Sequence, residues 1–85
     1  MLAFHYTITD EVGLHARPAG ILVKEANKYE SQITVKKDGK TADARRIMAL
    51  MALGIKCGQE IEVEVSGPDE AVACEALKTF FEQNL

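Results

Sequence analysis

Three stretches of the chain alternate between apolar and polar positions, and this period of two is typical of strands with one buried face. In the last of them, three valine and isoleucine residues alternate with glutamates, which predicts a half-buried strand with an acidic outer row. Asp38–Gly39 favours a tight hairpin turn, so a short additional strand should pair back after it. The predicted strands are Leu2–Ile8, Gln32–Lys37, Lys40–Ala42 and 60–65.

Three other stretches place apolar residues at the spacing of a helix. The first runs from about Ala16 to Lys28, the second from Ile47 to Leu53, and the third follows the turn-forming segment 66–70. Gly54 is expected to end the second helix in a left-handed conformation. The predicted buried stripes are Ala19, Leu22, Val23 and Ala26 in the first helix, and Ala73, Cys74, Leu77 and Phe81 in the third.

The order strand, helix, strand, strand, helix, strand, helix indicates an α+β domain. Amphipathic strands joined by a hairpin suit a four-stranded antiparallel sheet, and the helices should cover its apolar face. With 85 residues the chain is expected to form a single domain, residues 1–85, and its 47% of hydrophobic residues suffices for one core.

Charge and composition exclude several classes of function. The net charge of −3 and the pI of about 5.3 argue against a nucleic-acid partner. No apolar run approaches the roughly 20 residues that span a bilayer, so membrane insertion is not expected. The segment Met1–His5 has neither the basic start nor the long apolar stretch of a signal peptide, so the expected location is the cytoplasm. Cys57 and Cys74 do not have the spacing of a metal or redox pair, and no metal or cofactor is expected.

The segment Gly13–Gly20, which reads Gly-Leu-His-Ala-Arg-Pro-Ala-Gly, is the passage that calls for a chemical explanation. Pro18 is tolerated in the first turn of a helix, because its missing N–H would have no partner there. The first helix should therefore begin near Ala16, with His15 at or just before its start.

A histidine in that position could accept a phosphoryl group. The first N–H groups of a helix, here those of Ala16 and Arg17, lack internal partners and form a ready anion site. A neutral imidazole can act as a nucleophile, and the guanidinium of Arg17 is suited to phosphate. The alternative is that His15 is simply a solvated side chain in a turn.

The second unusual passage is Ile47–Leu53, which contains no polar residue. A two-turn helix cannot bury every side in a protein of this size, so some of these side chains should be exposed. Exposed apolar patches on small proteins often mark partner surfaces, and methionine adapts to several partners. The alternative is that Met48 and Met51 only fill gaps in the core.

Both passages resemble the signature segments of HPr, the histidine-containing phosphocarrier family of the bacterial sugar phosphotransferase system, and the resemblance spans the chain. It implies the open-faced β-sandwich fold and a carrier that is not itself an enzyme. It further implies that His15 accepts a phosphoryl group through Nδ1 from phosphorylated enzyme I and passes it to an enzyme IIA, with Arg17 contacting the phosphate. The chain is expected to be a monomer. The implied partner-binding residues are Gly20, Lys24, Arg46, Ile47, Met48 and Met51, and Arg45 is expected to belong to the cations around them.

Three positions depart from the family pattern. Position 46 is commonly a regulatory serine in Gram-positive members, and Arg46 cannot be phosphorylated. Val12 stands where a polar residue is usual and cannot donate a side-chain hydrogen bond. Gly20 replaces alanine or threonine and lowers helix propensity. These departures leave an alternative open, in which the chain is a specialised regulatory module that docks a regulator or enzyme without phosphotransfer in sugar uptake.

Overall fold

The computed structural model describes all 85 residues, Met1 to Leu85, as four strands and three helices. In chain order these are β1 (Leu2–Thr7), α1 (Ala16–Ala26), β2 (Gln32–Lys37), β3 (Lys40–Asp43), α2 (Ile47–Ala52), β4 (Glu60–Ser66) and α3 (Glu70–Asn84). The order is the one predicted from the apolar pattern, and it confirms the α+β class.

The four strands form one antiparallel sheet in the order β1-β4-β2-β3. Val63 of β4 lies between Phe4 of β1 and Val35 of β2 in the register. Because side chains alternate along each strand, this register places the apolar residues of neighbouring strands on the same face. That face meets the helices, which pack side by side on it.

The opposite face of the sheet carries polar side chains and no helix, as the term open-faced implies. The acidic row predicted on β4 lies there, and Lys36 of β2 places its Nζ 2.9 Å from Oε2 of Glu64. His5 of β1 stands opposite Glu62, with 3.8 Å between Nε2 and Oε2. The row is therefore a solvated face whose charge Lys36 partly offsets.

The core is a single cluster of 21 buried hydrophobic residues between the sheet and the helices. Phe81 of α3 lies at its centre, with its ring centroid 5.8 Å from that of Phe4 and 5.7 Å from that of Tyr6. Cys74 is buried, as its place on the apolar stripe of α3 predicts, and Cys57 is exposed. None of the helices combines the length and the apolar character needed to cross a bilayer.

Several predicted boundaries and burials need correction. Helix α1 ends at Ala26, two residues before the predicted Lys28, because the chain tightens there into a turn in which the Tyr29 amide donates to the Ala26 carbonyl. Val23, predicted to be buried, is only half-buried. Leu2 lies near the end of the edge strand β1 and is 39% exposed. Gly54 has a φ of +64°, which confirms the left-handed end predicted after α2.

Candidate functional site

The loop before α1 is pressed against the chain that follows α2. The Leu14 amide donates to the Ile55 carbonyl at 3.0 Å, and Leu14 is buried. Gly13 has a φ of +79°, and a Cβ added there would lie 2.4 Å from the Ile55 carbonyl oxygen. Only glycine satisfies both the backbone conformation and this close approach. The loop therefore reaches the start of α1 in a fixed position.

His15 is the residue that caps the N-terminus of α1. Its backbone is extended, with φ −99° and ψ −171°, and its carbonyl accepts the first helical hydrogen bond from Ala19 at 2.9 Å. The half-buried imidazole makes no hydrogen bond, either as a cap or to another group. The amides of Ala16 and Arg17 have no acceptor, and Pro18 has no N–H. The predicted start of the helix is thus confirmed, and its free donors lie beside the free imidazole.

An open depression of about 240 Å³ adjoins His15. Besides His15, Arg17 and Pro18, it is lined by Asp10, Ile21, Gln83 and Asn84. Sequence reasoning did not assign these last four residues to the site. Ile21 could have been found, since it follows Arg17 by one helical turn. The residues from the end of α3 could not, because only the fold brings them there, with the Leu85 carbonyl accepting the amides of Thr9 and Asp10 at 2.6 and 2.8 Å.

Helix α2 packs beside α1 on the side of α1 that carries Gly20. A Cβ added at Gly20 would lie 3.7 Å from Cδ1 of Ile47. Arg17, Gly20 and Lys24 follow one another at helical spacings of three and four, so they share one stripe of α1. Ile47 and Met51 are likewise four residues apart on α2. The stripe of α1 that begins at Arg17 and the exposed stripe of α2 therefore adjoin each other at Gly20 and Ile47.

The exposed side of α2 is apolar. Met48 is 75% exposed, Met51 39% and Ile47 38%, whereas Leu50 is fully buried. The prediction that this all-apolar helix cannot bury every side is confirmed. We use the term docking surface for the residues that the sequence analysis expects to bind partners, which are Gly20, Lys24, Arg46, Ile47, Met48 and Met51.

The cations around this surface are of two kinds. Arg17, Lys24 and Arg46 are exposed and form neither an ion pair nor a side-chain hydrogen bond, so their charges are available to a partner. Arg45, expected among them, is wrongly placed by the sequence argument. Its guanidinium donates to the carbonyls of Tyr29 and Ser31, which fixes the side chain within the fold.

A second depression of about 430 Å³ lies at the open face of the sheet, near the β2–β3 hairpin. It is larger than the one at His15, but its lining is almost wholly polar and its main charges already pair with neighbours, as Lys36 does with Glu64. No group of three or more His, Cys, Asp or Glu side chains converges as a metal site would require. Of the two depressions, only the one at His15 is lined by an imidazole without a partner.

Comparisons with known proteins agree with this geometry. The family described as "PTS HPr component phosphorylation site" matches residues 2–83. The chain is 46% identical over 78 residues to the phosphocarrier protein HPr of Mycoplasma capricolum, covering 92% of this chain and 88% of that one. It is 47% identical over 73 residues to the HPr-like protein Crh of Halalkalibacterium halodurans, covering 86% and 87%.

Solved structures show the same fold. An HPr structure from Thermoanaerobacter tengcongensis superposes with a TM-score of 0.93 at 39% identity, covering 99% of this chain and 94% of that one. An HPr dimer from the same organism gives a TM-score of 0.77 at 41% identity, with coverage of 92% and 90%. These likenesses confirm the four-stranded sheet with three helices, and they show that similar chains occur as dimers.

Proposed function

Because this chain belongs to the HPr family of the phosphotransferase system, we propose that it is a phosphocarrier that holds a phosphoryl group on His15. The observation that carries the proposal is the unpaired imidazole at the start of α1, next to the unpaired amides of Ala16 and Arg17. A nucleophile and an anion site at one helix end are the two parts that reversible phosphoryl transfer to a histidine requires.

In the proposed transfer, Nδ1 of His15 attacks the phosphorus of a phosphorylated donor histidine on enzyme I. The P–N bond to the donor breaks as the P–N bond to His15 forms, and the phosphoryl oxygens turn towards the free amides. Arg17 adds a charge that stabilises these oxygens, and its exposure lets it follow them during transfer. The reverse geometry then delivers the group to a histidine of an enzyme IIA.

The docking surface explains how donor and acceptor could share one carrier. Its apolar centre on α2 can pack against different partners, since methionine side chains adapt their shape. Lys24 and Arg46 lie unpaired at its edge, which suits acidic partner surfaces. Such charges speed encounter more than they prolong the complex, and a carrier needs short-lived complexes.

The proposal is tested by incubating the chain with phosphoenolpyruvate and enzyme I of a phosphotransferase system. Intact-mass spectrometry should show the gain of one phosphoryl group, and adding an enzyme IIA should remove it. The chain has two histidines, which provides a matched control: His5→Ala should still be phosphorylated and His15→Ala should not. Equal phosphorylation of both variants would disprove the assignment of His15.

The second candidate is an HPr-like regulatory module, which the likeness to the HPr-like protein Crh favours. In this case the docking surface binds a regulator or an enzyme, and His15 phosphorylation is not needed for it. Arg46 also replaces a residue that can be phosphorylated in some family members. Affinity capture with the His15→Ala variant separates the two functions: a partner bound equally by wild type and variant, with no transfer from enzyme I, would favour the module.

The chain is proposed to act as a monomer in the cytoplasm, and to be a substrate of its partners that turns over nothing alone. A single chain can receive the phosphoryl group from the donor and pass it to the acceptor, so a dimer is not required. The dimer formed by an HPr of similar sequence makes the oligomeric state worth measuring. Light scattering after size exclusion, over a wide range of protein concentrations, should give the mass of one chain.

A further inference from the structure

Asp10 is a charged residue at the His15 depression that the proposed transfer does not use. Three of its atoms are already held. Its amide donates to the Leu85 carbonyl at 2.8 Å, its carbonyl accepts the Gly13 amide at 3.0 Å, and Oδ1 accepts the Val12 amide at 2.9 Å. The other carboxylate oxygen, Oδ2, has no hydrogen-bond or ion-pair partner. The side chain is half-buried, so its negative charge is fixed in place with one oxygen free.

This fixed charge lines the same depression as His15 and Arg17. A phosphoryl dianion that His15 carries into this depression would share it with the Asp10 carboxylate. Arg17 is the only cation in the lining, and it would have to serve both anions. Like charges that line one depression raise the free energy of the phosphorylated state. The Val12 amide, which could otherwise bind phosphoryl oxygen, is occupied by Oδ1.

We propose that Asp10 is a positioning residue that shortens the lifetime of phosphorylated His15 through its charge, while its hydrogen bond to the Val12 amide holds the loop that presents the imidazole. This inference rests on the proposed phosphocarrier function. In hydrolysis the P–N bond breaks, the oxygen of water bonds to phosphorus, and the ring nitrogen takes up a proton as inorganic phosphate leaves. The carboxylate disfavours the starting dianion, and relief of this repulsion speeds the departure of the group.

The substitution Asp10→Asn separates the two roles, because an asparagine oxygen can still accept the Val12 amide without carrying a charge. The phosphorylated chain should lose its phosphoryl group about three- to tenfold more slowly in this variant, the range expected when water largely screens the repulsion between two like charges in an open depression. The difference should shrink in 1 M salt, where screening acts over about 3 Å. A purely structural role of Asp10 would not produce a salt-dependent difference.

Glu11→Gln is the matched control. Glu11 is the next residue, carries the same charge, is exposed, makes no hydrogen bond and does not line the depression. Removing its charge should change the lifetime less than twofold. Asp10→Ala removes both the charge and the acceptor, so it should also slow hydrolysis but lower the stability of the loop.

Phosphorylated protein is prepared in two ways, with enzyme I and phosphoenolpyruvate, and with phosphoramidate, a small chemical donor that needs no partner protein. Loss of the group is followed by ³¹P NMR and intact-mass spectrometry. Equal lifetimes of wild type and Asp10→Asn would overturn the role of Asp10 while leaving the carrier function standing. Labelling by phosphoramidate but not by enzyme I would overturn the carrier function and still measure the effect of Asp10. No labelling of His15 by either donor would overturn both.

Discussion

Gly20 of α1 faces Ile47 of α2 at a distance that leaves room for one methyl group, since a Cβ at position 20 would lie 3.7 Å from Cδ1 of Ile47. This is ordinary van der Waals contact. The glycine is therefore not required by close packing, and its backbone is helical. With glycine at this position, α1 and α2 contact each other less than they would with alanine.

Gly20→Ala should consequently stabilise the protein by about 0.5–1 kcal/mol, through helix propensity and the new contact with Ile47. Urea denaturation followed by circular dichroism measures the change. Gly39 provides the contrast. It also has free space around a Cβ, but its φ is +79°, so Gly39→Ala should destabilise the protein. If both variants shifted stability in the same direction, the argument from backbone conformation would be wrong.

Gly13→Ala should cost about 2 kcal/mol or more, because the substitution combines a positive φ with a clash against the Ile55 carbonyl. The effect should reach the site as well, since Gly13 lies two residues before His15. Amide hydrogen exchange should show the Leu14 amide losing protection, as its bond to Ile55 weakens. A variant with wild-type stability and unchanged protection at Leu14 would contradict the close approach.

Asp69 should make the stability of the protein depend on pH in the acid range. Its pKa lies below the ordinary value, first because the Ser31 hydroxyl donates to the carboxylate and also because the Glu30 and Ser31 amides do. A pKa lowered by folding means that the stabilisation is fully present above the unfolded pKa of about 3.9 and is lost as the pH falls through the folded value. Wild type should therefore lose stability below about pH 4.

Asp69→Asn should be less stable than wild type at pH 7 and lose less of its remaining stability between pH 5 and pH 3. Thermal unfolding at a series of pH values measures both effects. Glu82→Gln removes one carboxylate from α3, the helix that begins directly after Asp69, and Glu82 makes no hydrogen bond, so this control should keep the acid profile of wild type. A profile for Asp69→Asn as steep as that of wild type would show that other carboxylates dominate the acid response.

The neighbours Arg45 and Arg46 should give opposite results when each is changed to alanine. Arg45→Ala leaves the carbonyls of Tyr29 and Ser31 without their donor and should cost about 1–3 kcal/mol, since hydrogen bonds to charged groups are the stronger kind. Arg46→Ala removes an exposed, unpaired charge and should leave stability within about 0.5 kcal/mol. It should instead slow association with an acidic partner at low salt, an effect measured by stopped-flow binding. Equal loss of stability in both variants would contradict this division of roles.

The fold and the position of His15 could be predicted because local patterns determine them. Alternation fixed the strands and their faces, and Pro18 fixed the start of α1. The apolar run of α2 indicated an exposed surface because a short helix cannot bury all its sides. Arg45 and Arg46 carry the same charge at adjacent positions, and only tertiary contacts distinguish the structural one from the free one.

Other parts of the site depend on residues that are distant in the chain. Asp10 belongs to a turn, and Gln83 and Asn84 belong to the end of α3, yet all three line the His15 depression. They meet because the Leu85 carbonyl accepts amides from the loop before α1. No periodicity or motif in the sequence indicates that the end of α3 contacts the loop before α1. The sequence therefore predicted His15 and Arg17 as site residues but not the residues around them.

Met48 provides the most direct test of the docking surface, because it is 75% exposed and its removal should not disturb the core. Met48→Ala should keep its stability within about 0.5 kcal/mol. If a partner buries this side chain, the lost contact is worth about 1–2 kcal/mol, and the KM for phosphorylation by enzyme I should rise about five- to thirtyfold. The chemical step at His15 should be unchanged, so kcat should hardly move.

Leu50→Ala is the matched control from the buried side of α2 and should cost about 2–5 kcal/mol of stability. Unchanged KM in a stable Met48→Ala protein would contradict a contact between Met48 and enzyme I.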